Sequence, residues 1–324
     1  MRAWMNAKPA LLATLLAAGL ASAPSPVGRA QSQEQLPTFR SSANAVMVDV
    51  NVRDKNRKVI ANLKASDFEV LDNGVAQTVD NVSYGKLPID VTVALDVSYS
   101  VTGTLLDRLR RGVTTLMSDL KKEDRLKLML FNNRVTRTVD LTGDTEAVDK
   151  ALKAASAGGS TALLDAISVA LVSGSAPDRR QLVMFFTDGS DSSSVSTPSA
   201  VTTTARRARA TLSFVMPSLG NVAVTYGPRT TGGSTTTAVT IANGLLARTD
   251  PVYTTLARET GGSVFPVSAN TDLAAIFRQV LGDFRSAYVL YFNAKGVEPG
   301  GYHTLEVKVK REDTTVQARR GYWY

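Results

Sequence analysis

The run Ile89-Asp90-Val91-Thr92-Val93-Ala94-Leu95-Asp96-Val97-Ser98-Tyr99-Ser100 decides how this chain folds. Its first seven residues have the composition of a strand buried in a parallel sheet, and a carboxylate followed by two hydroxyls closes it. A second buried strand, Leu182-Val183-Met184-Phe185-Phe186, runs into Thr187-Asp188-Gly189. Between them lies the loop Gly158-Gly159-Ser160-Thr161. Open α/β sheets bind ligands beyond the carboxyl ends of their strands, so Asp96, Ser98, Ser100, Thr161 and Asp188 form the candidate site.

Two carboxylates and three hydroxyls, with no sulfur or imidazole, suit a small hard cation that prefers six oxygens at about 2.0–2.1 Å. Mg²⁺ fits best, with Mn²⁺ or Ca²⁺ as substitutes. Few charged donors leave such an ion electron-poor, so a coordination position open to an outside anion is expected.

These residues resemble the von Willebrand factor A (VWFA) domain and its metal-ion-dependent adhesion site (MIDAS): a DxSxS sequence, a threonine in a glycine-rich loop, and an aspartate in a DG turn, in that order. The resemblance covers nearly everything after residue 40. Ala65–Val79 (ASDFEVLDNGVAQTV), Arg258–Val267 (RETGGSVFPV) and the terminal Ala318–Tyr324 (ARRGYWY) are similar to a bacterial VWFA-related family abundant in acidobacteria. It implies that Ser98 and Ser100 ligate directly, that Thr161 joins in the ligand-engaged state, and that Asp96 and Asp188 act mostly through waters. Ser160 stands where many relatives carry the threonine, so Thr161 is chosen on the register of the following Ala162-Leu163-Leu164-Asp165-Ala166, and Ser160 is a candidate to support the ligands from behind. Asp191 is either a further outer acceptor or, the favoured role, a cap for the next helix. Relatives also couple engagement to movement of the last helix, here Leu273 to Phe284.

Working outward, strand and helix alternate from residue 87 to 285, which argues for a doubly wound, mostly parallel sheet. The flanks differ. Ala45–Val52 alternates at period two, Phe68–Leu71 with Asp72-Asn73-Gly74 reads as a hairpin, and Tyr288–Phe292, Leu305–Val309 and Val316–Ala318 are strands. Neither flank has enough strands to be stable alone, so the two should pair into one small β-sandwich with the α/β domain inserted. The expected division is residues 1–30 signal peptide, 31–42 flexible leader, 43–86 and 286–324 the two parts of the sandwich, and 87–285 the VWFA domain. The Gly/Thr-rich stretch 226–243 is a long surface insertion or a β-hairpin turning at Gly232-Gly233.

The N-terminus has the grammar of a secretory signal: Arg2 and Lys8, an apolar stretch from Ala10 to Ala23, and Gly28-Arg29-Ala30 before a polar segment. Cleavage is favoured near Ala30, because Pro24 follows Ala23. A membrane anchor would need about 20 apolar residues, and the stretch is shorter. The mature chain is thus expected to be exported, periplasmic or secreted, with no transmembrane segment. There is no cysteine, so thiol catalysis and zinc–thiolate sites are excluded. The net charge is +8. Residues 1–30 contribute Arg2, Lys8 and Arg29 and no acid, so the remainder carries 34 basic against 29 acidic residues. Its basic clusters at 108–111 and 206–209 lack interleaved aromatics and read as solvated helix faces, not a nucleic-acid surface.

No catalytic residue is assigned. The single histidine, His303, reads as a solvated strand residue, and no glycine cluster carries the lysine of a phosphate loop. The function expected is an exported adhesion-type module whose Mg²⁺-type site captures an Asp or Glu of a protein partner. The alternatives are an envelope assembly component whose metal only stabilises loops and, third, a metal-dependent hydrolase.

Overall fold

The computed structural model describes residues 45–324 apart from 102, 173–175, 177, 218–224, 232–233, 241–250 and 269. The expected signal peptide, leader and Gly232-Gly233 turn lie outside the described residues.

The chain opens with β1 (Ala45–Asp54), β2 (Phe68–Asp72), β3 (Val75–Gln77) and β4 (Asn81–Tyr84). It then alternates: β5 (Ile89–Asp96), α1 (Thr104–Ser118), β6 (Arg125–Phe131), β7 (Val135–Thr142), α2 (Thr145–Lys153), α3 (Leu163–Val172), β8 (Arg180–Phe186), α4 (Pro198–Arg207) and β9 (Thr211–Pro217). Two strands, β10 (Thr225–Thr231) and β11 (Ser234–Thr240), pair antiparallel, so the Gly/Thr-rich insertion is strand-forming. α5 (Pro251–Thr260), β12 (Val264–Val267) and α6 (Leu273–Arg285) complete the alternation. The end is again all β: β13 (Tyr288–Asn293), β14 (Tyr302–Val309), β15 (Thr314–Ala318) and β16 (Gly321–Trp323).

The central sheet has the order β12-β9-β8-β5-β6-β7. All pairs are parallel except β6–β7. Sequence reading did not isolate β7: only Val135, Val139 and Leu141 are apolar, and it lies on the sheet edge with one face in water. Every residue of β5 and β8 is buried, which is why neither alternates in polarity. Their side chains divide by parity. Val91, Val93, Leu95, Met184 and Phe186 pack under α1, α2 and α6, while Ala94, Val183 and Phe185 pack under α3, α4 and α5. The doubly wound reading holds.

The flanking strands form two antiparallel sheets, β15-β1-β13-β4 and β16-β14-β2-β3. Alternate residues Val46, Val48, Val50 and Val52 of β1 enter the core they share with Phe68, Tyr288, Leu290 and Phe292. The register Val46↔Phe292 and Val50↔Tyr288 joins the chain before the α/β segment to the chain after it. At the β2–β3 turn Asn73 and Gly74 both have positive φ (47° and 82°), the left-handed pair that a two-residue hairpin needs.

One buried arginine links the two parts. Arg180 donates to Asp49 of β1 at 2.6 Å and to the Phe284 carbonyl at 2.6 Å, and its guanidinium lies 4.0 Å over the Phe284 ring. Arg53–Asp283 at 2.5 Å adds a second link to α6.

His303 is not solvated. It is 2% exposed, its Nδ1 lies 2.8 Å from the buried Asp72, and Tyr322 donates to the other oxygen of Asp72 at 2.7 Å. Strand alternation explains the correction, because His303 shares its face of β14 with Leu305, Val307 and Val309.

Candidate functional site

Parallel pairing in register brings three chain segments to one end of the central sheet. Asp96 is opposite Phe131, and Leu95 is opposite Phe186, so β5, β6 and β8 finish together. Asp96 is fully buried at the end of β5. Its Oδ1 accepts from the Ser98 backbone N–H at 2.9 Å, the local bond by which an aspartate turns the chain after a strand. Its Oδ2 accepts from Thr187 Oγ1 at 2.9 Å. Ser98 is also buried, Ser100 is exposed, and their Oγ atoms stand 3.1 Å apart.

The glycine-rich loop is stitched to this turn. Gly158 N–H donates to Val97 O at 2.8 Å, and Tyr99 N–H donates to Gly159 O at 3.1 Å. Asn132, at the end of β6, donates to Gly158 O at 2.8 Å and accepts the Ala162 N–H at 2.7 Å on its own carbonyl. Thr161 is 4% exposed, and its carbonyl receives the N–H groups of Ser192 (2.9 Å) and Ser193 (3.0 Å) from the loop after β8. Ser160 is exposed and donates to Ser193 Oγ at 3.0 Å.

Asp188 follows Thr187 and is partly exposed. One of its oxygens accepts the Ser190 N–H at 2.8 Å, and Gly189, at φ +81°, makes the bend between them. Asp191 is a helix cap, but of α3 and not of the following α4. Its carboxylate accepts from Leu164 N–H at 3.0 Å and Ser194 N–H at 3.1 Å, while Thr197 caps α4 by accepting from Ala200 N–H at 3.3 Å. Thr187 and Asn132 escaped sequence reading; Thr187 sits between a strand and a recognised aspartate, and only the fold shows that its hydroxyl turns to Asp96.

Electrostatically the centre is anionic. Burial pushes the Asp96 carboxyl above the ordinary carboxylate range, hydrogen bonds from Ser98 and Thr187 oppose this, and the nearby charge of Asp188 raises it further. Among the described residues no basic side chain bonds Asp96. Buried carboxylates are ordinarily paired or bound to metal, so the chemistry of this donor set is compatible with a cation. The hydroxyl geometry fits one: adjacent corners of an octahedron with bonds of about 2.1 Å are about 3.0 Å apart, close to the Ser98–Ser100 separation of 3.1 Å. Among the described residues no group of three or more His, Cys, Asp or Glu side chains gathers, so an ion held here would depend on hydroxyl donors as well.

The family model for the von Willebrand factor type A domain matches residues 90–274, more than half of the chain. The chain belongs to this family. The matched span runs from β5 into α6 and contains every loop of the candidate site. Among solved structures, a von Willebrand factor type A protein from Catenulispora acidiphila is similar with TM-score 0.46 and 13% identity, over 86% of this chain and 73% of that one. An aerotolerance-related membrane protein from Bacteroides fragilis gives 0.44 and 16%, over 60% and 98%. Proximal thread matrix protein 1 from the mussel byssus, with a zinc-occupied MIDAS motif, gives 0.45 and 12%, over 65% and 48%. No curated protein matches the chain.

Proposed function

We propose that this VWA domain is an exported, non-catalytic capture module in which Asp96, Ser98, Ser100, Thr161 and Asp188 hold a Mg²⁺-type ion that takes a partner's carboxylate. One observation supports this above others: Asp96 is fully buried, feels the nearby charge of Asp188, and stands beside two hydroxyls set 3.1 Å apart, with no basic side chain bonded to it among the described residues. Bound there, the ion supplies a Lewis-acid position for an Asp or Glu side chain of another protein. The chain's own residues do the rest. Thr187 and the Ser98 N–H hold Asp96 in place, the Val97–Gly158 and Tyr99–Gly159 bonds fix the two hydroxyl-bearing loops, and Ser192 and Ser193 fix Thr161. Ser100 and Asp188 remain open to solvent on the outer side, where a partner approaches.

A loop-stabilising metal with no partner is the weaker reading, because backbone hydrogen bonds already join the three loops. Catalysis is weaker too: the single histidine is held by Asp72 inside the sandwich, away from the strand ends that carry Asp96 and Asp188. Export rests on the N-terminal sequence. Among the described residues no helix is long and apolar enough to cross a membrane.

The test is surface binding of an arrayed peptide library in Mg²⁺ and in EDTA. We expect binders that need both the metal and a glutamate or aspartate, and that are lost with Asp96→Ala. Binders indifferent to EDTA, or none containing an acidic residue, would overturn this reading.

A further inference from the structure

At the opposite end of the central sheet from Asp96, a cleft of about 600 Å³ opens between the sandwich and the α5–β12 connection. That is within the size range of ligand sites. Its walls include Val307 of β14, Val316 and Ala318 of β15, and the Gly261-Gly262-Ser263 backbone. Packing explains these glycines: a Cβ on Gly262 would stand 1.8 Å from Leu212 O, and Gly261 has φ +82°.

The walls are two open strand edges. In an antiparallel ladder successive residues point their backbone groups to opposite sides. Thr304 O accepts the Asn73 N–H, so Thr304 and Glu306 face β2, while Leu305 donates to Arg320 O on the other side. Val307 therefore turns its N–H and C=O away from β2, beyond the reach of β16, which pairs only with residues 302–304. On β1, Val52 O accepts the Ile60 N–H, so Asn51 and Arg53 face β15, and their opposites Gln317 and Thr315 face β1. Val316 and Ala318 are left turned outward. Among the described residues neither outer edge has a strand partner, and unpaired edges are templates for added strands.

The charge around the opening is one-sided. Arg258 and Arg320 line it, both exposed, and neither forms an ion pair among the described residues, although Arg320 lies near enough to Glu259 to help hold that carboxyl low. Glu259 itself is bonded by Arg206 and Tyr302, and Glu306 pairs with Lys308 at 2.8 Å. Arg319 donates to Gly321 O, Arg206 O and Ala208 O.

We propose that this cleft receives an extended acidic segment of another polypeptide, which adds as a strand to the open edges of β14 and β15 with its carboxylates on Arg258 and Arg320. Backbone bonds at Val307, Val316 and Ala318 supply the affinity and the two guanidiniums the selectivity. Four extended residues span about 13 Å. The excess of basic residues after residue 30, 34 against 29 acidic, argues against a second copy of this chain as the occupant. The site is independent of the metal.

The test uses a fluorescein-labelled alternating glutamate–valine hexapeptide as probe, read by anisotropy with the full mature chain. We expect saturable binding that EDTA leaves unchanged, falls at least tenfold for a lysine–valine hexapeptide, and falls at least tenfold in Arg258→Glu/Arg320→Glu. Val307→Pro removes an N–H that no β2 pairing uses, so it should keep the fold, checked by circular dichroism, and weaken the probe similarly. Hydrogen exchange should slow at Val307, Val316 and Ala318 when the probe is added. The proposal is overturned by absence of binding at millimolar probe, by binding that survives the double charge reversal, or by binding that EDTA abolishes, which would place the peptide at Asp96 instead. It is equally overturned if sedimentation shows self-association that the double charge reversal removes, because the occupant is then a second copy.

Discussion

Thr187 Oγ1 donates to Asp96 Oδ2 at 2.9 Å, joining the ends of two neighbouring parallel strands at the carboxylate that carries the site. Thr187 is itself fully buried and also accepts the Gly189 N–H at 3.1 Å, so one hydroxyl orients both Asp96 and the turn bearing Asp188. Thr187→Val should keep the volume and lose both bonds. Groups that orient metal-binding side chains are commonly worth 10–100-fold in affinity, so Mn²⁺ should bind at least about tenfold more weakly. A buried oxygen without its donor costs about 1–3 kcal/mol, so the melting temperature should also fall. Calorimetric titration and thermal unfolding read the two effects separately.

Metal binding to the folded state alone stabilises it by mass action, about 2.7 kcal/mol at 100 times the dissociation constant. Mg²⁺ should therefore raise the melting temperature of the wild type and leave Ser98→Ala/Ser100→Ala nearly unmoved. Differential scanning calorimetry with Mg²⁺ and with EDTA makes the comparison.

The Arg180–Asp49 pair reaches across from β8 to β1, with Arg180 1% exposed. Removing one partner of a buried pair leaves an uncompensated charge and costs about 3–5 kcal/mol. Asp49→Asn should destabilise by an amount toward the lower end of that range, since Asp49 is 17% exposed and Arg180 keeps its bond to Phe284 O. A double-mutant cycle with Arg180→Met, followed by urea unfolding, measures the coupling.

Acid should unfold the protein partly through Asp90. Burial alone would raise its carboxyl, but hydrogen bonds and charge from Arg125 and Arg179 outweigh burial and hold it below its ordinary 3.8. A carboxyl lowered by folding contributes stability that is fully present above the unfolded value and is lost as pH falls through the folded one. The stability gap between wild type and Asp90→Asn should thus be constant near pH 6 and close below about pH 4. Melting curves from pH 6 to pH 2.5 follow it.

Much of this was legible in one dimension. The apolar runs before Asp96 and Asp188 carried the parallel sheet, and the spacing of hydroxyls and carboxylates carried the family. What stayed hidden depends on contacts distant in sequence. Thr187 meets Asp96 across 91 positions, and Asp191 turns back to α3 because Ser192 and Ser193 bind Thr161, which folds that loop over the preceding helix rather than the following one. His303 is different: its parity with Leu305 and Val307 was visible and marked it as inward, but its partner Asp72, 231 residues away, was not. β7 was obscured because an edge strand with one face in water needs few apolar residues.

The most direct test is titration of residues 31–324 with Mn²⁺, read by the loss of the free-ion electron paramagnetic resonance signal. We expect one ion per chain, displaced by Mg²⁺, with binding abolished in Asp96→Ala and in Ser98→Ala/Ser100→Ala. Undiminished binding in both variants, or no binding to the wild type at millimolar Mn²⁺, would contradict a metal centre at the end of β5.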